Sequence, residues 1–321
     1  MFKNKEGKVR SGWKIAAVTG AFFASMMVFS IIIGLAMFLI LMLNGNFDLQ
    51  KIENLLLGEG SLNSGFRIFS MFFQEILMIL TPVIAWKFIM KHPLTNMGLS
   101  SLKNHSCELL TGLLFGIVSI SVVFISLVIS NNVVVESWVP HFSPDTLIYL
   151  FLFILVGFAE EIYGRGYIMS VLRQTRNIPV VVIVSSVIFA LMHSFNSGIA
   201  LIPYINLTLV GVLFAYIYLK SGNIWMSIGY HITWNYFQGN VFGFKVSGTN
   251  TAGIITTVYK NENIYNGGKF GPEGGLFVTA VLLLGFLFVK HFYKDSKFDF
   301  LSTEPESVVI NPKPESNTFY N

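Results

Sequence analysis

Apolar and polar positions along the chain separate into eight long hydrophobic runs joined by polar stretches: 15–43, 68–90, 109–130, 146–172, 178–195, 199–219, 224–244 and 275–293. A helix rises 1.5 Å per residue, so crossing a bilayer takes about 20 apolar residues. The pattern therefore predicts about eight transmembrane helices. The fourth and seventh runs are the least hydrophobic and carry ionisable residues. A basic stretch at 1–14 precedes the first run and resembles the charged start of a signal peptide. The run behind it is too long for a signal core and no small-residue cleavage site follows, so it reads as a retained first helix.

Composition agrees with this pattern. Hydrophobic residues make up 53% of the 321 and charged ones 12%, with a mean hydropathy of +0.64. A soluble domain is about 25% charged, so there is too little charge for a water-facing surface. A disordered chain, a fibrous protein and an ordinary soluble enzyme are excluded. Cys107 is the sole cysteine, which excludes a disulfide scaffold. The net charge of +4 calls for no nucleic-acid partner, because in a membrane protein the placing of cations matters more than their sum.

That placing is asymmetric. With the N-terminus in the cytoplasm, eight crossings return the C-terminus there. Of the 21 Lys and Arg, only Lys51, Arg67, Lys245, Lys260 and Lys269 then lie outside. The positive-inside rule favours this orientation. The expected fold is an all-α polytopic membrane bundle with both termini cytoplasmic, its transmembrane domain covering 1–294. The stretch 244–273, rich in Gly, Asn and Thr, is expected as an external loop with little hydrophobic core of its own. The stretch 295–321, polar with Pro312 and Pro314, is expected as a disordered cytoplasmic tail. Asn206-Leu207-Thr208 matches a glycosylation acceptor but lies inside a span and carries no such meaning.

Ionisable residues inside spans cost about 2.5–3.5 kcal/mol each on insertion scales and are functional candidates by default. They are Glu75, Glu160, Glu161, Arg165, His193 and His231. All but Glu75 fall on three helices between 160 and 231. Glu161 and Arg165 are spaced i, i+4 on one helix face, where they can pair. Glu160 lies about 100° round the helix from Glu161. Adjacent carboxylates in low dielectric repel, so a division of labour is expected. Glu161 is held charged by Arg165, and Glu160 is left to accept a proton. A buried polar knot that only fixes helix packing is an equal alternative on the pair alone.

His193 sits near the end of the fifth run, while His231 and Asn235 lie one turn apart on the seventh, where both can donate to one point. That pair could equally be a polar clamp between helices. Depths counted from the cytoplasmic ends are about 18 Å for Glu160, 22 Å for His193 and 16 Å for Asn235, but only about 10 Å for His231. A proton acceptor, two imidazoles and an amide near mid-membrane are what amide hydrolysis requires. A base activates water, a second group orients it, and donors stabilise the oxyanion.

Glu-Glu-x-x-x-Arg at 160–165, Phe-x-x-x-His at 189–193 and His-x-x-x-Asn at 231–235 resemble the three motifs of the CPBP intramembrane protease family, the CAAX prenyl endopeptidases and the bacteriocin-processing or self-immunity proteins. The likeness covers 146–243, or 98 of the 321 residues. Each motif alone is weak; three in order, each on a membrane helix, are a strong signal. Gly164 departs from the aromatic usual in the family before the arginine. The resemblance implies that Glu160 is the general base, that His193 positions the same water, and that His231 and Asn235 form the oxyanion hole. Glu161 and Arg165 support them. A metal-based version makes Glu160, His193 and His231 zinc ligands. Two His and a carboxylate suit catalytic zinc, yet the H-E-x-x-H helix is absent and Asn235 is a poor zinc ligand, so the metal-free version is slightly preferred. The implied substrate is a peptide or small membrane protein within the lipid bilayer, and the implied location a bacterial plasma membrane. Two other readings remain at this point. One is a proton-coupled transporter, which the lack of repeated halves argues against; the other is a non-catalytic membrane partner or immunity factor. Glu75 and the 244–273 loop receive no role.

Overall fold

The apolar runs become helices in the computed structural model, which describes residues 2–4, 7–43, 62–251 and 253–302. The helices are α1 (Ser11–Leu43), α2 (Leu62–Ile84), α3 (Leu102–Ile129), α4 (Pro144–Glu161), α5 (Ile178–Met192), α6 (Leu201–Ser221), α7 (Trp225–Tyr236) and α8 (Leu276–Phe292). A helix thus stands at each of the eight expected places, and 71% of the structure is helical. Among the described residues, five helical segments are long and apolar enough to cross a membrane: Ser11–Ile40, Gly65–Ile89, Leu94–Ile129, Pro144–Thr175 and Leu201–Ser221. Their outward faces carry large bare hydrophobics, such as Ile31, Leu35 and Leu39 on α1 and Leu114 and Val118 on α3. Apolar surface this extensive belongs in lipid rather than water.

Three of the expected spans are shorter than the apolar pattern suggested. α5 stops at Met192, with His193 as its cap, and α8 has 17 residues. α7 has 12 regular residues and then widens into a π turn, Phe237–Val241. It also starts inside the protein: Asn223 and Ile224 are fully buried, and the Ile224 N–H donates to the Gly98 carbonyl.

Two more π turns interrupt the bundle. Pro82 sits inside α2, where it removes a backbone donor, and the π turn Ala85–Ile89 follows. α4 passes directly into a longer one, Ile162–Met169. Such widened turns are often found at functional sites, and this one begins at the residue after Glu161.

α3 and α7 form the most extensive helix pair, and small residues are the reason. A Cβ at Gly112 would run into the Met226 carbonyl, and one at Gly116 into Thr233 Oγ1 and the Tyr230 carbonyl. Without them the two backbones meet, as in small-xxx-small membrane interfaces. Thr233 Oγ1 donates across the seam to the Leu113 carbonyl at 2.8 Å. Met226, Gly229 and Thr233 share one face of α7 by 3.6-residue periodicity, leaving His231 and Asn235 on the other.

Among the described residues the bundle carries one small sheet that the periodicity did not reveal. Strands β1 (Val133–Ser137) and β2 (Thr256–Tyr259) pair antiparallel, Val133 against Tyr259 and Val135 against Thr257. This ties the α3–α4 connection to the stretch expected as a loop with little hydrophobic core of its own. That stretch buries Phe244, Val246 and Phe270 against the bundle; Phe244 lies between Phe124 of α3 and Tyr259 of β2. Asn206 of α6 is the residue of the glycosylation-like triplet. It is buried and pins the end of this loop by donating to the carbonyls of Glu273 at 2.7 Å and Gly275 at 2.9 Å. After α8 the chain folds back rather than dispersing: Phe300 is buried against Tyr218 and beneath the Arg173 guanidinium. The rest of the expected disordered tail, 303–321, lies outside the described residues.

Candidate active site

The sequence-predicted residues converge from four helical positions. Glu160 and Glu161 end α4, and Arg165 lies on the π turn beyond. His193 caps α5, and α7 presents His231 and Asn235.

Glu161 and Arg165 form a closed unit. Arg165 Nη1 donates to Glu161 Oε1 at 3.0 Å, with both side chains at most 1% exposed. The guanidinium packs on the Phe189 ring at 4.3 Å and near Phe214 at 5.0 Å. Two aromatic faces and a carboxylate thus replace the water it has lost. The same carboxylate oxygen receives His231 Nδ1 at 3.1 Å. Since Arg165 holds Glu161 as the anion, His231 Nδ1 is the donor, and its tautomer is fixed by that contact.

Glu160 is open where Glu161 is closed. Its Oε2 is buried without a hydrogen-bond partner. It lies 3.7 Å from His231 Nε2 and 3.9 Å from His193 Nε2. His193 Nδ1 meets the Phe189 carbonyl at 2.9 Å, so Nδ1 carries the proton and Nε2 turns its lone pair towards Glu160. Both imidazoles therefore have one nitrogen committed to the protein and the other aimed at the orphan carboxylate oxygen.

These groups line a cavity of about 190 Å³ that also receives Asn235. Space of that size beside an unsatisfied carboxylate and two ring nitrogens accepts water and a substrate carbonyl. Sequence reasoning missed part of its wall. Glu75 of α2, noted only as an ionisable residue in a span, reaches the cavity, where its Oε2 is also buried without a partner. Glu273, Ser247, Thr249 and Thr251 line it from the loop side. Glu273 Oε2 accepts from the Ser247 N–H at 2.5 Å and Oγ at 2.9 Å. Burial pushes the Glu273 carboxyl above its usual range, partly opposed by those two hydrogen bonds. Glu75 had a readable signal in its position within an apolar run. The loop residues had none, because they reach the cavity only through the burial of Phe244 and Phe270.

The fold and site together define an apolar helical protein with a cavity of carboxylates and imidazoles between its helices and the 244–273 loop. Residues 142–237, under a third of the chain, match the family model described as Type II CAAX prenyl endopeptidase Rce1-like, which supports a likeness of this segment to the CPBP/CAAX proteases. The matched stretch contains Glu160, Glu161, Arg165, His193, His231 and Asn235 and ends before the 244–273 loop. No curated protein and no solved structure matches the chain.

Zinc held by Glu160, His193 and His231 needs three donors meeting at one point. In a tetrahedral site, ligands at 2.0–2.1 Å from the metal stand about 3.3 Å apart. The two oxygen–nitrogen separations here are wider, 3.7 and 3.9 Å. Among the described residues no three His, Cys, Asp or Glu form a group that could hold a metal ion. The arrangement does not fit the metal, and no step is routed through one.

Proposed function

We propose that the chain is an intramembrane endopeptidase that hydrolyses a peptide bond in a peptide or small membrane-associated protein, with Glu160 as general base. One observation carries this reading: Glu160 Oε2 is an orphaned buried acceptor facing two imidazole nitrogens across an open cavity. Water in that cavity hydrogen-bonds through one hydrogen to Glu160 and through the other to the His193 Nε2 lone pair; Glu160 takes the first proton as the oxygen attacks the substrate carbonyl carbon, and the second hydrogen stays on the new hydroxyl. The carbonyl electrons move to oxygen, and the Asn235 amide donates to that oxyanion. His231 donates to it from Nε2 only when doubly protonated, because its Nδ1 proton is already given to Glu161. The proton on Glu160 then passes to the leaving nitrogen as the C–N bond breaks.

Given eight crossings, the positive-inside count supports both termini being cytoplasmic, and the family resemblance supports a bacterial plasma membrane. The test is cleavage of a peptide library by purified wild type, Glu160→Gln and His193→Ala, with thermal unfolding of each measured in parallel. Glu160→Gln is expected to lower kcat/KM by about 10²–10⁴-fold at an unchanged unfolding midpoint, with chelator leaving wild-type cleavage intact. Cleavage indifferent to both substitutions would remove the assigned roles. Absence of any wild-type cleavage would favour a binding or transport protein.

A further inference from the structure

The cavity beside Glu160 and most of the cations lie at opposite ends of the bundle. Its lining residues Tyr149, Leu207 and Val278 fall within the first seven residues of α4, α6 and α8. His193 caps the end of α5, and Asn235 is the last residue but one of α7. These helix ends all face the 244–273 loop, whose Ser247, Thr249 and Glu273 complete the wall. Because α5 stops at Met192, the wall beyond His193 is loop rather than helix.

The opposite ends of the helices gather around the start of α1. Tyr167, beyond α4, donates to the Lys14 carbonyl at 3.0 Å, and Ser170 Oγ to the Asn96 carbonyl at 2.9 Å. At the start of α7, Trp225 Nε1 donates to the Ser100 carbonyl at 3.0 Å. Among the described residues, Arg67, Lys245, Lys260 and Lys269 are the Lys and Arg at the loop end; apart from Arg165, every other one lies at this opposite end. The positive-inside rule counts Lys and Arg whatever they pair with, since Asp and Glu contribute little to it. It places this end in the cytoplasm and the cavity end on the far side of the membrane.

Packing closes the cytoplasmic route. Between the cavity and that end, Ile168, Val181, Ala215, Tyr218, Ile224 and Ile228 share one core cluster, none of them more than 1% exposed. The Glu161–Arg165 pair is as deeply buried. A peptide passing that way would have to break a close-packed core and a buried ion pair. On the loop side, the half-buried polar side chains of Ser247 and Thr249 form the wall.

We propose that the site takes its substrate from the non-cytoplasmic face of the membrane, so that the bond cut lies in a peptide or protein segment exposed there. The cutting rests on the endopeptidase reading above; the side of entry rests on the cations and the packing alone. The substrate class is then an exported peptide or the outer segment of a membrane-associated protein, and not a cytoplasmic tail.

The experiment uses the full chain in bacterial spheroplasts and in sealed inside-out vesicles from the same cells. The wild-type protein has one cysteine, Cys107, exposed near the start of α3 at the cation end. A second protein carries Thr249→Cys at the cavity wall with Cys107→Ser. Both are treated with a small, charged, membrane-impermeant methanethiosulfonate, and modification is read by mass spectrometry. Thr249→Cys is expected to react in intact spheroplasts, and Cys107 only in inside-out vesicles or after lysis. The reverse pattern would overturn the proposal. If Thr249→Cys does not fold or reacts nowhere, Asn261→Cys, exposed just beyond β2, replaces it and decides in the same way. The second arm offers both preparations a water-soluble peptide that detergent-purified wild type cleaves. Cleavage is expected in the spheroplasts, lost in Glu160→Gln, and absent from inside-out vesicles until detergent opens them. Cleavage by intact inside-out vesicles, or by neither preparation before detergent, would overturn the proposal. If wild type cleaves nothing even in detergent, the endopeptidase reading falls, and the side on which the cavity opens is decided by the cysteine labelling.

Discussion

The two faces of α7 do opposite work. One face, with Met226, Gly229 and Thr233, is pressed against α3 so closely that no side chain fits at Gly112 or Gly116. The other presents His231 and Asn235 to a cavity in which a carboxylate oxygen has no partner. Polar groups left unsatisfied in a low-dielectric interior pull towards any rearrangement that would pair them. The cavity keeps its open geometry because the seam behind it cannot move. Glu160 and Glu161 repeat the contrast at the scale of one peptide bond, the second closed by Arg165 and His231, the first left open.

Substitutions that separate the two behaviours test the comparison, and the largest effect is expected on activity alone. Glu160→Gln removes the proposed base but keeps size and shape, so the 10²–10⁴-fold loss of cleavage should come without loss of stability. The reverse pattern belongs to Arg165→Met. It strands the Glu161 carboxylate at 0% exposure and releases His231 from its fixed tautomer. Breaking one side of a buried pair costs about 3–5 kcal/mol, to be seen as a large fall in unfolding midpoint accompanied by loss of cleavage. If Arg165→Met unfolded like wild type, the closed unit would not be what orders this end of α4.

On the seam, Gly116→Val places methyl groups against Thr233 Oγ1 and the Tyr230 carbonyl, neither of which can retreat without moving α7. Overpacking of this kind costs about 1–3 kcal/mol. Because α7 carries His231 and Asn235, cleavage should fall although the substitution touches none of Glu160, His193, His231 and Asn235. Retained activity with lowered stability would show that the cavity tolerates a displaced α7, and the coupling of the two faces would be lost.

Much of this was legible in the sequence, for a physical reason. Ionisable residues in apolar runs are costly enough to be conspicuous, so Glu160, Glu161, Arg165, His193 and His231 stood out, and the i, i+4 spacing indicated the Glu161–Arg165 pair. Depth counting failed for His231, placing it about 8 Å shallower than Glu160, although their side chains meet at 3.7 Å. The count took every helix to begin at the membrane surface, whereas α7 begins inside the protein at buried Asn223 and Ile224. The π turn Ile162–Met169 left no trace in periodicity, and neither did the loop wall of the cavity. Ser247 and Glu273 meet there through a long-range fold of the chain and not through any local pattern. Hydrophobic periodicity reports which face of a helix is buried, not what else is buried against it.

The smallest expected effect is at Gly164, where the chain has no side chain between Tyr163 and Arg165. A Cβ added there would meet only the Phe189 ring edge, at 4.0 Å, an ordinary contact, and no left-handed backbone requires glycine. Glycine within a helix costs about 0.5–1 kcal/mol relative to alanine through the freedom it loses on folding. Gly164→Ala should therefore raise the unfolding midpoint slightly, with cleavage unchanged. The variant also probes the boundary between closed and open halves of the site, since Phe189 supports the Arg165 guanidinium on its face and supplies the carbonyl that orients His193. A stabilised protein with normal cleavage would mean that the space at Gly164 is spare. A stabilised protein with weakened cleavage would mean that Phe189 needs that space to move, and that the closed pair and the open carboxylate are coupled through this one ring.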